Sequence, residues 1–208
     1  VIAVYPFIHF SKKPKALWYA HKSVTPWLKL AERAVDFVFT ASDLSFRLPS
    51  KKVIYTGHAI DTKFFVVKEQ KNLGPNSGIR IMSSGRISPV KDYETIIRAC
   101  ALLKNSWTHS WSLSIVGGPS MPRDHEYLST LKKMVKNLGL EQYVVFLGAR
   151  SYAEMPHIYQ DHDIFVSMST TGSIDKAVLE AMSSGLTVLC ANEAFSGILP
   201  HPYFVEKR

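Results

Sequence analysis

Residues 169–185 read S-T-T-G-S-I-D-K-A-V-L-E-A-M-S-S-G, and the fold of the chain follows from how this stretch is read. The apolar run Ile164, Phe165 and Val166 predicts a strand leading in, and the small residues 167–172 predict a loop. A helix is expected over residues 174–184, capped by Ser173 and carrying Asp175 in its first turn. A strand, a glycine-bearing turn and an exposed helix start together suit a phosphate, because free amides and the helix dipole both favour an anion. Glu180 then falls seven residues after the cap, where a carboxylate reaches a ligand's hydroxyls. The competing reading is a helix packed beside a sheet, with Glu180 merely solvated.

Outward from this stretch the alternation is regular. Residues 79–84, 111–116, 143–147, 164–168 and 187–190 read as strands. Between them lie an amphipathic stripe of Ile96, Ile97, Ala99, Cys100 and Leu103, and a longer one from Tyr127 to Leu138 that stops at Gly139. Shorter helices are expected over residues 154–159 and 174–184. Strands alternating with amphipathic helices imply parallel pairing in a doubly wound α/β sheet. The strands end on Gly85, on Gly117 and Gly118, on Gly148 and on the 167–172 run. Carboxyl ends of parallel strands form the ligand crevice, and small residues there admit a nucleotide-sized group close to the backbone. Arg86 and Lys91 flank the first of these ends, a planar fork and a point charge suited to a diphosphate. The bland alternative is a pair of surface cations in a chain that has 25 of them.

The first part of the chain is shorter in elements. Residues 16–19, 36–40 and 52–55 read as strands, and a helix starts at Thr25–Pro26 with Trp27, Leu28, Ala31, Ala34 and Val35 on one face. Residues 1–10 are apolar and carry no firm assignment. Residues 58–78, which include K-N-L-G-P-N-S-G, have the composition of a hinge or linker. The expected organisation is a partial segment over 1–57, a hinge over 58–78 and a ligand-binding domain over 79–208.

Composition bounds the chemistry. With 46% hydrophobic and 20% charged residues, the 208-residue chain reads as an ordinary globular protein. It has no apolar run long enough to span a membrane and no leader pattern, and its start without Met reads as a trimmed piece of a longer protein. Cys100 and Cys190 sit in apolar runs and read as buried thiols of a reducing, cytoplasmic compartment. A net charge of +8 favours anionic partners: nucleic acid, an acidic membrane face or a phosphorylated small molecule. No block of basic residues or nucleic-acid motif is present, and His58, His125, His157 and His162 are not at metal-ligand spacing. Nucleophile-elbow, zincin, Walker and dinucleotide fingerprints are absent.

The residues 83–99 (S-S-G-R-I-S-P-V-K-D-Y-E-T-I-I-R-A), 114–119 (S-I-V-G-G-P), 144–148 (V-V-F-L-G), 163–169 (D-I-F-V-S-M-S) and 178–189 (V-L-E-A-M-S-S-G-L-T-V-L) resemble, in order, the blocks of group 1 (family 4) glycosyltransferases. T-G-H-A-I-D at 56–61 is similar to that family's hinge motif. The resemblance covers about residues 16–192. It implies the GT-B architecture of two facing Rossmann-like domains, with this chain holding the donor domain and the end of the acceptor domain. It further implies retaining hexosyl transfer in glycan biosynthesis from a UDP-, GDP- or ADP-sugar, with no obligatory metal or other cofactor. Carried over, Arg86 and Lys91 grip the diphosphate and Glu180 binds the ribose hydroxyls. Gly85, Gly118, Ala149 and Arg150 border the donor, and Ile174, Asp175 and Lys176 face its sugar and phosphates. A second glutamate common in the family, eight positions before Glu180, is here Gly172, which leaves Ser173 and Asp175 for the sugar contacts. The acceptor domain's first strands and catalytic histidine have no match.

Partners expected on this resemblance are a nucleotide-sugar donor and a glycan or lipid-linked acceptor, with peripheral contact at the inner face of the membrane and no nucleic acid. The rivals are a GT-B sugar-nucleotide epimerase, which needs acid and base groups not found, a non-catalytic sugar-nucleotide-binding fragment, and a basic membrane-surface or nucleic-acid-binding protein, which explains the charge but not the ordered blocks.

Overall fold

The structure, a computed structural model, describes residues 12–67 and 78–206. The apolar segment 1–10 and nearly all of the turn-rich stretch 68–78 lie outside the described residues. Contacts divide the chain into two units: Val1–Ala59 with Thr171–Ile174 and Asn192–Ile198, and Ile60–Thr170 with Asp175–Ala191 and Leu199–Arg208.

The larger unit is a five-stranded parallel sheet. Its strands are β4 (Ile79–Ser84), β5 (Trp111–Val116), β6 (Val144–Gly148), β7 (Ile164–Ser167) and β8 (Thr187–Cys190), in the order β6-β5-β4-β7-β8. The chain winds from β4 outward to β6, then crosses back and winds outward again from β7, so the order reverses between β4 and β7. Such a reversal opens a crevice at the strands' carboxyl ends, which is where an α/β sheet binds its ligand. Doubly wound α/β architecture, expected from the alternation, is what the sheet shows.

Two devices set this register. At the amino end of the crossover, the Arg80 guanidinium donates to both Asp163 oxygens (Nη2 to Oδ1 2.8 Å, Nε to Oδ2 3.2 Å), tying β4 to the start of β7. Along the strands, fully buried Met82 and Phe165 lie side by side across β4 and β7. Each large apolar side chain taken from water in this way stabilises the fold by about 1.5–3 kcal/mol.

The helices form where the pattern requires. In α2 (Tyr93–Ser106), Asp92 caps the first turn and Tyr93, Ile96, Ile97 and Cys100 bury one stripe. In α3 (Pro122–Asn137), proline occupies the first turn and buried Asp124 accepts from the amides of Ser120 and Met121, before Gly139 (φ +62°) ends the helix. Burial pushes the Cys100 thiol up to about 11, so it is a packing group. Cys190 is buried too.

The smaller unit holds three parallel strands, β1 (Ala16–Trp18), β2 (Phe37–Thr40) and β3 (Val53–Tyr55), with α1 (Pro26–Ala34). Thr25 caps α1 by accepting from the Leu28 amide. Leu28 and Val35 of the expected stripe reach the core of Val38 and Phe46, but Trp27 is 54% exposed. The buried arc of α1 runs through positions 28, 31 and 35, and Trp27 falls just outside it.

Close approach of backbones separates two glycines that share positive φ. A methyl group on Gly117 (φ +137°) meets the Gly85 carbonyl oxygen at 1.9 Å, whereas one on Gly148 (φ +74°) meets nothing within 4 Å. Gly117→Ala is therefore expected to cost about 3 kcal/mol or more and Gly148→Ala only about 1 kcal/mol. Urea denaturation of both variants measures the difference.

Candidate functional site

The carboxyl ends of β4, β5 and β6 surround an open cavity of about 350 Å³. Ser84 and Gly85 line it from β4, Val116 and Gly117 from β5, and Ala149 and Arg150 from the loop after β6. Met155 and Tyr159 of α4 (Met155–Gln160) and Ala177 and Glu180 of α5 (Lys176–Ser183) close the remaining side. A larger groove of about 650 Å³ between α2 and α3 lies on the helices' outer surface, away from the strand ends. The smaller cavity is the better site because the carboxyl ends of three parallel strands converge on it, the place where an α/β sheet binds its ligand.

Backbone bonds knit its floor. The Gly85 amide donates to the Val116 carbonyl at 3.0 Å, the Gly117 amide to Gly148 at 2.8 Å and the Ile87 amide to Gly118 at 3.0 Å. The Tyr93 hydroxyl donates to the Gly85 carbonyl at 3.0 Å. Gly118 packs against Ala149.

Glu180 is buried in the wall. Its Oε2 accepts from the Tyr159 hydroxyl at 3.0 Å, and Oε1 has no hydrogen bond to a described residue. Burial raises the Glu180 carboxyl above the usual range, the Tyr159 bond opposes this, Asp175 adds to it and Lys176 subtracts. Burial likewise pushes the Tyr159 hydroxyl far up, so it stays a proton donor.

Helix α5 begins later than expected. Its N-cap is Asp175, whose carboxylate accepts from the Ala177 amide at 3.3 Å, and not Ser173. The Ser173 carbonyl is instead taken by the side-chain amide of Asn192 at 2.8 Å. Glu180 accordingly lies five residues after the true cap, in the second turn, and is a wall residue, not part of the helix start.

Lys91 closes the short 3-10 turn Pro89–Lys91 and pairs with the same Asp175, both side chains mostly buried. It also lies beside Gly85, where a methyl group would meet its Cε at 3.0 Å. Arg86 follows Gly85, is exposed, and among the described residues reaches the Ser88 hydroxyl at 3.5 Å. Neither cation lines the cavity itself; both stand next to its Gly85 edge. Lys176 is exposed at the α5 start. Gly172, Ser173 and Ile174 belong to the smaller unit. There the space a side chain at 172 needs is held by the Glu193 carboxylate, 2.4 Å from the methyl position and bonded to Arg47 at 2.7 Å.

Sequence reasoning missed Tyr159, Ser84 and Glu193; Gly117 was expected at the rim as one of the strand-end glycines. A tyrosine hydroxyl in an otherwise apolar helix face was the one available signal for the first. Among the described residues no group of three or more His, Cys, Asp and Glu is arranged to hold a metal ion.

If Asp175 is the cap, Asp175→Asn, which caps equally well, is expected to be about 1 kcal/mol more stable than Asp175→Ala. Ser173→Ala should stay within about 0.5 kcal/mol of the parent. Chemical denaturation of the three variants checks the assignment.

Known proteins bear on this geometry. The sequence model of the family Glycosyl transferases group 1 matches residues 67–198. Mannosylfructose-phosphate synthase of Agrobacterium fabrum is 32% identical over 106 residues, 50% of this chain and 23% of that protein. D-inositol 3-phosphate glycosyltransferase of Corynebacterium glutamicum is 32% identical over 108 residues, 51% of this chain and 25% of its own length. The chain thus matches between about a quarter and a third of the length of its curated relatives. Among solved structures, HepE of Anabaena with UDP and glucose superimposes with a TM-score of 0.71 at 21% identity, over 86% of this chain and 53% of that one. The C-terminal domain of a glycosyl transferase group 1 family protein (LpcC) of Francisella tularensis does so with 0.62 at 26% identity, over 72% and 81%. These likenesses place the larger unit among Rossmann-like GT-B domains. By the match across more than half its length, this chain belongs to the group 1 glycosyltransferase family.

Proposed function

We propose that this chain is the donor-binding part of a retaining glycosyltransferase that moves a hexosyl group from a nucleoside diphosphate sugar to a glycan or lipid-linked acceptor. The observation that carries the reading is the glycine-floored cavity in which Glu180 presents a carboxylate beside Gly85 and Gly117. A buried carboxylate facing open space, with one oxygen already held, is suited to a pair of hydroxyls such as those of a ribose. The UDP found in HepE supports a uridine nucleotide as the first donor to try, with guanosine and adenosine nucleotides next.

Lys91 and Arg86 stand where a diphosphate leaving from this cavity gathers charge. In this reading Asp175 holds the Lys91 ammonium near the Gly85 edge until the donor arrives, then Lys91 exchanges it for phosphate oxygens while Asp175 remains the helix cap. Exposed Arg86 swings in with its fork. Fixed cations at a leaving diphosphate stabilise the transition state more than the ground state, which is what accelerates sugar–phosphate cleavage. They fill the role without a metal. The family resemblance supports attack from the leaving-group face as the route proposed. Among the described residues no helix is long and apolar enough to cross a membrane. The net charge of +8 supports peripheral contact with an anionic membrane at its cytoplasmic face.

Two expectations test the proposal. Glu180→Ala should lower affinity for the bound nucleoside diphosphate about ten-fold or more while the chain still folds, as titration calorimetry and thermal melting together report. Unchanged affinity with a lowered melting point would make Glu180 a packing residue. In the full-length enzyme, Arg86→Ala and Lys91→Ala should each cut turnover roughly 100- to 1,000-fold, with Arg86→Lys only partly restored and Lys133→Ala near normal. Steady-state rates with a labelled donor decide this, and near-normal rates for both alanine variants would reduce the cations to surface charge.

A further inference from the structure

Tyr159 is fully buried, with its ring packed edge-on to Phe65 (5.7 Å, 76°) and tilted against Phe165 (6.0 Å, 50°). Apolar packing of this kind needs no hydroxyl; phenylalanine fills the same volume. The hydroxyl nevertheless sits between two buried polar groups, 3.1 Å from Ser84 Oγ and 3.0 Å from Glu180 Oε2. Its oxygen is also 3.3 Å from the Ala177 carbonyl oxygen. A tyrosine has one proton to give, and the charged oxygen is the strongest acceptor within reach. The Tyr159 hydroxyl therefore donates to Glu180, and Ser84 donates to Tyr159. This ordered relay starts at the last residue of β4 and ends in the cavity wall.

We propose that Tyr159 is a positioning residue for the donor nucleotide: it holds one carboxylate oxygen of Glu180 and so aims the other at the ribose hydroxyls. The proposal rests on the reading of Glu180 as the ribose ligand. It assigns to a residue outside the cavity's charged groups the orientation, and with it the charge state, of that ligand.

The surroundings explain why a positioning group is needed. Burial and the negative charge of Asp175 both favour the neutral acid at Glu180; Lys176 and the Tyr159 bond favour the carboxylate. Tyr152, in the turn Tyr152–Glu154, faces it from the α4 side, Arg150 lines the same cavity, and β4 contributes only uncharged Ser84 and Gly85. Among these, the Tyr159 hydroxyl is the group that hydrogen-bonds the carboxylate directly. Only the ionised carboxylate accepts from two hydroxyls at full strength, so affinity is present above the Glu180 value and lost as pH falls through it. Tyr159 holds that value down; removing its hydroxyl moves the loss to higher pH.

The test uses the 208-residue chain, titrated calorimetrically with UDP, GDP and ADP and with their 2′-deoxy counterparts over a range of acidic to neutral pH. The parent is expected to prefer the ribonucleotide. Tyr159→Phe should lose about three- to ten-fold in ribonucleotide affinity, lose little for the deoxy form, and show its acid limb at higher pH. The single variant leaves the Ser84 hydroxyl buried without its acceptor, so Ser84→Ala/Tyr159→Phe is measured beside it and should show the same losses in a better-folded chain. Glu180→Gln should abolish the ribose preference and the part of the acid limb that the ribonucleotide shows beyond its deoxy counterpart, the ligand's terminal phosphate titrating in both. If Tyr159→Phe and the double variant keep the parent's preference and limb while Glu180→Gln loses them, Tyr159 is packing only and the proposal falls while the ribose reading stands. If Glu180→Gln keeps the preference, the ribose reading fails and the proposal with it.

Discussion

Everything at the ligand end of the larger sheet depends on how closely two strand ends meet. Gly117 lies so near the Gly85 carbonyl that no side chain fits, and the bonds Gly85 to Val116 and Gly117 to Gly148 carry the ladder past the last regular pairs. Three strands thereby end in a floor of bare backbone. A floor of this kind lets a ligand reach the main chain and leaves selectivity to the walls, which α4 and α5 provide.

The walls are coupled to that floor through few atoms. Asp175 ends one loop by capping α5 and, with its other oxygen, anchors Lys91 beside Gly85. The Ser84–Tyr159–Glu180 relay joins the end of β4 to the same helix. A cation and an anion are thus set on opposite functional duties by one helix, and each is held by a partner far from it in sequence. The arrangement suits a ligand with a negatively charged end and a hydroxyl-bearing end, which is the common feature of nucleoside diphosphates.

Much of this was legible from residues alone. The strands Ile79–Ser84, Trp111–Val116 and Thr187–Cys190 have the bounds their apolar runs and flanking turn residues dictate. The order of blocks from Gly85 to Gly185 pointed to the family, and the cavity gathers Gly85, Ala149, Arg150 and Glu180 of the expected site. The start of α5 was misjudged because Ser173 and Asp175 are both good caps locally. A side chain 19 residues later settles the matter, since Asn192 takes the Ser173 carbonyl. Trp27 misled for a related reason: helical spacing defines a face, but the width of the buried arc depends on what packs against it.

By itself, the sequence determined the parallel α/β winding and the placement of small residues at the strand ends, because both are written in short-range periodicity and in glycine's unique backbone freedom. Only the tertiary structure decided which charged groups meet. Lys91 and Asp175 are separated by 84 residues, and Tyr159 and Glu180 by 21, with a strand between. Such pairings arise when crossover connections bring distant strand ends to one rim, and no local pattern encodes the distance or direction at which two side chains then stand.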